Sequence, residues 1–391
     1  MLAPSQAPAR SRPVSGRRPG PVPSRRRPNR VRRVILLAAA MCLVPSFISY
    51  AAYMAQPSNS SFFINSVEWL RGNGARGIVN SIENFYYSLN APPKGGPALH
   101  RLPNQRGGAV ALTKILPQHY EPPRIKPVIH PALPGEGVWH ATFANGGRYP
   151  PVLITSFRPQ AAYPQLVAGV AWIDHTRTTT WLYPGMQEPA VALPDRGPEE
   201  VPPQLRSHLV ATFNSGFKLA DSNGGVVISG HTYAPLRDGM GTILRYRNGQ
   251  INVIDWTGGS IAGPNVVYAR QNLPLIVDNG KPNPNLSDGP QWGATLGNAI
   301  QVWRSAVGVD RHGNLIYAAA NYQTVGSLAA IMIRAGAVRA MELDINTYWT
   351  SFISYRYPGG RDPANLLADM DRSPFRYLTP DDRDFFAVYV R

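Results

Sequence analysis

With 391 residues, 43% of them hydrophobic, the chain is long enough for one large domain or two ordinary ones and too apolar to be disordered as a whole. Its net charge of +16 points at first to nucleic acid, but residues 1–33 hold ten arginines and no acid, which leaves 29 basic against 23 acidic residues in the remainder. Basicity gathered in one tail acts as an address and not as a groove, so nucleic acid is excluded as a partner of the main body.

Residues 1–33, rich in Pro, Arg and Ser, are expected to be a disordered cytoplasmic tail. The next element, 34–55, is the uncharged run VILLAAAMCLVPSFISYAAYMA, long enough to span a hydrocarbon core of ~30 Å. Arg30, Arg32 and Arg33 abut one end and neutral residues the other, which predicts a single-pass anchor in the cell membrane with everything after it outside. A cleaved signal peptide is the alternative, with an unusually long basic region, an apolar core beyond the usual length and Tyr53 near the cut. The only cysteine, Cys42, lies inside this run, so the exported part has no disulfide or thiol chemistry.

Residues 56–134 read as an amphipathic segment followed by a Pro-rich stalk or strap. Ile78, Ile82, Phe85, Tyr86 and Leu89 recur at helical spacing and predict a helix that packs on the main domain or lies near the bilayer, with packing preferred. Residues 135–391 form that domain. Asn248-Gly249 and Asn279-Gly280 predict hairpins of the primed type, and Arg311-His312-Gly313 joins two apolar runs. A helix is predicted over Ser327 to Ala335, stopped by Gly336, and then a strand from Val338 to Ile345. The fold class expected is α+β, with largely antiparallel, hairpin-rich sheet and few helices.

Chemistry-bearing residues cluster around the last of these elements. A side-chain period of two puts Glu342 and Asp344 on one strand face, roughly 6–7 Å apart, compatible with a carboxylate pair. Arg304 offers a planar guanidinium that can grip a phosphate, or can form a salt bridge to Glu342 or Asp344. Upstream, Asn214 lies in the small-residue loop Asn214-Ser215-Gly216-Phe217, where an amide approaches a polar ligand closely or simply makes a tight turn. His231 in Ser229-Gly230-His231 is placed near the same pocket or left in solvent. Asn346 can present its amide there, and Tyr348 and Trp349 either stack on sugar rings or serve as core aromatics. No zinc spacing, Gly-x-Ser-x-Gly, P-loop or dinucleotide motif occurs, and neither metal nor cofactor is expected.

The stretch from Phe213 to Ser354 resembles the phosphodiester glycosidase family. Asn214, Gly216 and Phe217 are similar to its Asn-Gly-Gly-Phe-Phe motif, Arg304-Ser305-Ala306-Val307-Gly308 to its Arg-Thr/Ser-Ala-hydrophobic-Gly strand, and Leu343-Asp344 to the start of its Leu-Asp-Gly-Gly-Gly-Ser motif. The three glycines of that motif are replaced by Ile345, Asn346 and Thr347. The resemblance implies hydrolysis of a sugar-1-phosphodiester in an envelope or secreted polysaccharide. Asp344 then serves as base or electrostatic stabiliser with Glu342 as its partner, and Arg304, Asn214, Asn346 and His231 bind substrate. The alternative is a non-catalytic envelope protein that binds glycan or a partner protein through the altered pocket.

Overall fold

The computed structural model describes residues 29–103, 120–143, 150–194, 196–287, 289–293 and 301–391. The chain divides between Ala55 and Gln56 into two units. In the first, helix α1 (Asn29–Met54) contains Arg32–Met54, long and apolar enough to cross a membrane by length and composition. It carries Pro45 inside it and exposes Val34, Ile35, Leu36 and Leu37. The expected disorder of residues 1–33 lies outside the described residues up to position 28, and residues 29–33 are already helical.

In the second unit, three antiparallel sheets surround a common core. The eight-stranded sheet has Val302–Asp310 at its centre, paired on one side with Leu315–Gln323 and on the other with Ala337–Glu342. The alternation of a strand sorts its residues by face. Ala306, Ala318 and Ala340 pack against helix residues 325–334, whereas Val307, Val309, Tyr317 and Met341 meet Phe213, Phe352 and Phe386 of the opposing sheet. Small residues on the first face let the helix come close; large ones on the second fill the space between sheets.

The primed hairpin is realised at Asn279-Gly280, where both residues have positive φ, of 49° and 70°. At Asn248-Gly249 only the glycine does, so this turn is a longer connection closed by one left-handed residue, with Asn248 Oδ1 accepting from Gln250 N.

Among the described residues four α-helices belong to this unit: α2 (Phe62–Gly72), α3 (Arg76–Leu89), the short α4 (Leu219–Ser222) and α5 (Val325–Arg334). α5 starts at a reciprocal cap, in which Thr324 Oγ1 accepts from Ser327 N and Ser327 Oγ accepts from Thr324 N. The expected packing of α3 through its apolar spacing is corrected: Val79 is buried, while Ile78, Ile82, Phe85, Tyr86 and Leu89 are exposed.

Among the described residues from 58 on, the segment ahead of position 135 follows the strap reading and not the stalk. Ser58, Asn59 and Ser60 are hydrogen-bonded to Asp381 and Asp382. Gly95 N donates to Ala162 O, and residues 120–139 form a strap with Ile125 and Trp139 in the core and the buried Arg158–Glu136 pair (2.9 Å) beneath it. Residues 104–119 lie outside the described residues.

Gly185 fixes the approach of two loops. A Cβ built there would lie 2.4–2.6 Å from backbone atoms of Arg383, closer than any side chain tolerates. Gly185→Ala is expected to cost about 1–3 kcal/mol by forcing these backbones apart, measurable by urea unfolding. Unchanged stability would show that the loops yield freely.

Candidate active site

The site grows from the end of strand Leu209–Asn214. There the chain leaves the sheet and Ser215 O accepts a hydrogen bond from Asp344 N (3.3 Å), while Ser305 O accepts from Leu343 N (2.8 Å). The bond from Leu343 keeps the register of the ladder, whereas Asp344 turns away to Ser215, so the strand ends at Glu342 and not at Ile345 as expected. The two carboxylates consequently go to different places.

Glu342 remains in the sheet, on the α5 face. There it meets Arg304, whose Nη1 donates to Glu342 Oε1 at 2.5 Å, while Arg304 Nε and Nη1 also reach the carbonyls of Gln323 and Trp292. Both side chains are buried. Burial pushes the Glu342 carboxyl up to about 7; Arg304 pulls it down and Asp344 pushes it up. An acid raised in the folded state stabilises the fold fully below its unfolded value, here 4.5, and loses that contribution as pH rises through about 7. Glu342→Gln removes the ionisation. Its unfolding free energy relative to wild type is expected to rise by about 3 kcal/mol between pH 4.5 and 7, read from urea titrations across that range. A constant difference would contradict the assignment.

Asp344 instead faces a cleft of about 390 Å³. Its Oδ1 accepts from Asn346 N (2.9 Å) and its Oδ2 from Arg383 Nη2 (2.7 Å). Burial raises its pKa, with Arg383 opposing. Phe217, Lys218, Asn346, Trp349 and Arg383 line the same cleft, and α2 and α3 supply Glu68, Arg71, Arg76 and Asn80. Lys218 pairs with Glu68, and Arg71 with both Glu68 (3.3 Å) and Glu83 (2.8 Å). Burial pushes the Glu68 carboxyl up, but Lys218 and Arg383 pull it further the other way and hold it below its usual range.

Arg383 is held by the run Asp381-Asp382-Arg383-Asp384, each acid of which has its own partner. Asp381 takes Arg376 Nε and Nη2 at 2.7 and 2.9 Å, Asp382 takes Ser58 Oγ at 2.8 Å, and Asp384 takes Arg270 Nε at 2.8 Å. Arg270 also donates to Phe217 O, which ties this loop to the one carrying Lys218. The Arg383 guanidinium lies 4.9 Å from the Trp349 ring centroid, and its buried Nη1 has no hydrogen-bond partner among the described residues. Asp344 keeps Arg383 charged despite burial, so the wall of the cleft holds a fixed cation.

Of the residues singled out from sequence, Asp344 and Asn346 line the cleft. Arg304 and Glu342 are brought together, in the salt bridge that was one of the two readings of Arg304, but behind the cleft wall. Asn214 is consumed by its surroundings: Oδ1 accepts from Tyr317 Oη and Ser351 N, and Nδ2 donates to Ser215 O and Ser305 Oγ. It braces the loop and does not reach the cleft. His231, exposed on strand His231–Ala234, lines neither this cleft nor its neighbour of about 950 Å³. Tyr348 lines that neighbour, and Trp349 lines both clefts, largely buried against Arg372, Arg376 and Arg383. Lys218, Arg383 and Glu68 escaped the sequence reading. The dense charged run at 381–384, just ahead of an apolar strand, was the available signal. Among the described residues no group of three or more His, Cys, Asp or Glu is placed to hold a metal ion.

Residues 207–344 match the model of the family described as phosphodiester glycosidase. This overlaps the resemblance read from Phe213 to Ser354 and relates the segment to a family of hydrolases. Among solved structures, a hypothetical protein from Synechocystis is 15% identical at a TM-score of 0.39, with 63% of each chain covered, so the present chain spans a little under two thirds of that protein. The catalytic domain of zebrafish N-acetylglucosamine-1-phosphodiester alpha-N-acetylglucosaminidase, auto-inhibited by its pro-peptide, is 15% identical at a TM-score of 0.42, with 65% of this chain and 88% of that one covered. No curated protein sequence matches.

Proposed function

We propose that the protein hydrolyses a sugar-1-phosphodiester of an envelope or secreted polysaccharide in the Asp344 cleft, with the domain held outside the cell by residues 34–55 and the N-terminus in the cytoplasm. The observation that carries this reading is the sharing of one cleft by a carboxylate, Asp344, and a fixed cation, Arg383. Phosphate oxygens suit Arg383 and the neighbouring Lys218. A phosphodiester leaves as a weakly basic group, so little general-acid help is needed. The remaining demand is on the sugar side, where positive charge develops at the anomeric carbon. Asp344 meets that charge and accepts a proton from the attacking water as the carbon–oxygen bond to phosphate breaks, giving free sugar and a phosphomonoester. Asn346, held by its backbone bond to Asp344, offers an amide to the sugar.

Asp344→Asn is expected to lower kcat by about 10²–10⁴-fold on a panel of sugar-1-phosphodiesters, with a much smaller change in KM. Activity that survives this substitution would remove Asp344 from the chemistry. The second reading, capture of a glycan or protein without turnover, is favoured by Ile345, whose side chain packs with Phe217 and Val302 where the family has glycine. No turnover across the panel, with glycan binding retained, would select it.

A further inference from the structure

Helix α3 is inside out. A surface helix normally turns its apolar stripe to the core. In α3 the inward side presents Val79, which is buried, Glu83, which takes Arg71 through both carboxylate oxygens, and Asn80, which lines the Asp344 cleft. The stripe at 78, 82, 85 and 89, one face over nearly three turns, is left open instead, each residue between 65% and 68% exposed, with Phe85 also on the rim of the neighbouring cleft of about 950 Å³. Phe62 and Phe63 at the start of α2 are exposed as well, at 63% and 79%. A contiguous stripe of large apolar side chains beside a polar inner face calls for a covering surface.

Chain connectivity says what lies within reach. Ser58 to Ser60 are bound to Asp381 and Asp382, and only Ala55, Gln56 and Pro57 separate them from the end of α1 at Met54. Four Cα steps extend no further than about 15 Å. If α1 crosses the membrane, the bilayer surface is within a few turns of helix from α2 and α3. Resting on that reading of residues 34–55, we infer that α2 and α3 are an interfacial element. The stripe Ile78, Ile82, Phe85 and Leu89 lies in the headgroup and acyl boundary of the outer leaflet, and the Asp344 cleft opens beside the lipid surface.

The test uses the full chain in proteoliposomes with Cys42→Ser and one new cysteine, Ile82→Cys or, as a control, Ile261→Cys in an exposed loop. Each carries an environment-sensitive fluorophore. The probe at 82 is expected to shift to the blue, to be quenched at least twofold by acyl-chain nitroxide lipids and to resist aqueous iodide, with the control showing the reverse. A probe at 82 as open to iodide as the control overturns the inference. So does protection from both quenchers, which would mean that a second copy covers the stripe. Carbonate extraction in the same preparation separates the two levels: a chain that stays in the pellet with an iodide-accessible probe loses the interfacial element alone, while a chain that is released loses the membrane span and the inference together.

Discussion

Truncating Arg383 to alanine is expected to destabilise the protein by about 3–5 kcal/mol at neutral pH, because it leaves Asp344 buried without its partner. The loss is larger than that of a surface pair, since both side chains are under a tenth exposed. The Asp344 carboxyl, already raised by burial, is then pushed up further, and any activity that needs it ionised moves to higher pH. The double variant Arg383→Ala, Asp344→Asn is expected to recover part of the stability, because the uncompensated charge has gone. Arg383→Lys keeps the charge but loses the planar fork, so most of the stability is expected to be retained. Denaturant unfolding of the four proteins decides the matter. An alanine variant as stable as wild type would show that Asp344 finds water or another cation.

Asp381→Asn is expected to be comparably severe. Asp381 accepts both forked nitrogens of the fully buried Arg376, Arg372 Nη2 at 3.3 Å, Asn59 Nδ2 at 2.9 Å and the backbone N of Arg383 at 3.0 Å. An amide in its place leaves Arg376 buried beside a neutral group, at a cost of about 3–5 kcal/mol. The pH dependence carries the sign. Burial pushes the Asp381 carboxyl up, but Arg376 and Arg372 together bring it below its usual 3.8, so its contribution is complete above that value and lost as pH falls through the lower folded value. Wild type is therefore expected to lose stability in this acid window, and the asparagine variant to lack that share of the decline. Parallel acid-unfolding curves for the two would refute the assignment.

Much of the scaffold was legible because its signals are local. The period-two runs, the left-handed Asn279-Gly280 and the helix after Thr324 depend on neighbours in sequence, and all three appear as strands, turn and helix. The direction in which α3 faces was not legible. Its spacing announces a stripe but not which side the rest of the molecule leaves for it, and here Arg71 and the cleft claim the polar side. Asp344 was found by its place after an apolar strand, yet the inference that Glu342 shares its surroundings failed. It assumed that the strand continues to Ile345, whereas it ends at Glu342 and Asp344 turns to Ser215. Arg383 was out of reach for a different reason. It comes to Asp344 from 39 residues further on, because the final strand Phe385–Val390 pairs between Leu209–Asn214 and Thr178–Tyr183. Nothing near Arg383 in sequence records that pairing.

The loop that carries Arg383 also holds the segment that leads into α2. Asp382 holds Ser58 and Ser60, Asp381 holds Asn59, and the next residue reaches Asp344. Residues 58–60 and the wall of the cleft are thus joined through three consecutive residues, 381–383. A displacement of residues 58–60 is therefore passed to the Arg383–Asp344 pair through that short backbone segment, without any ligand or modification to carry it.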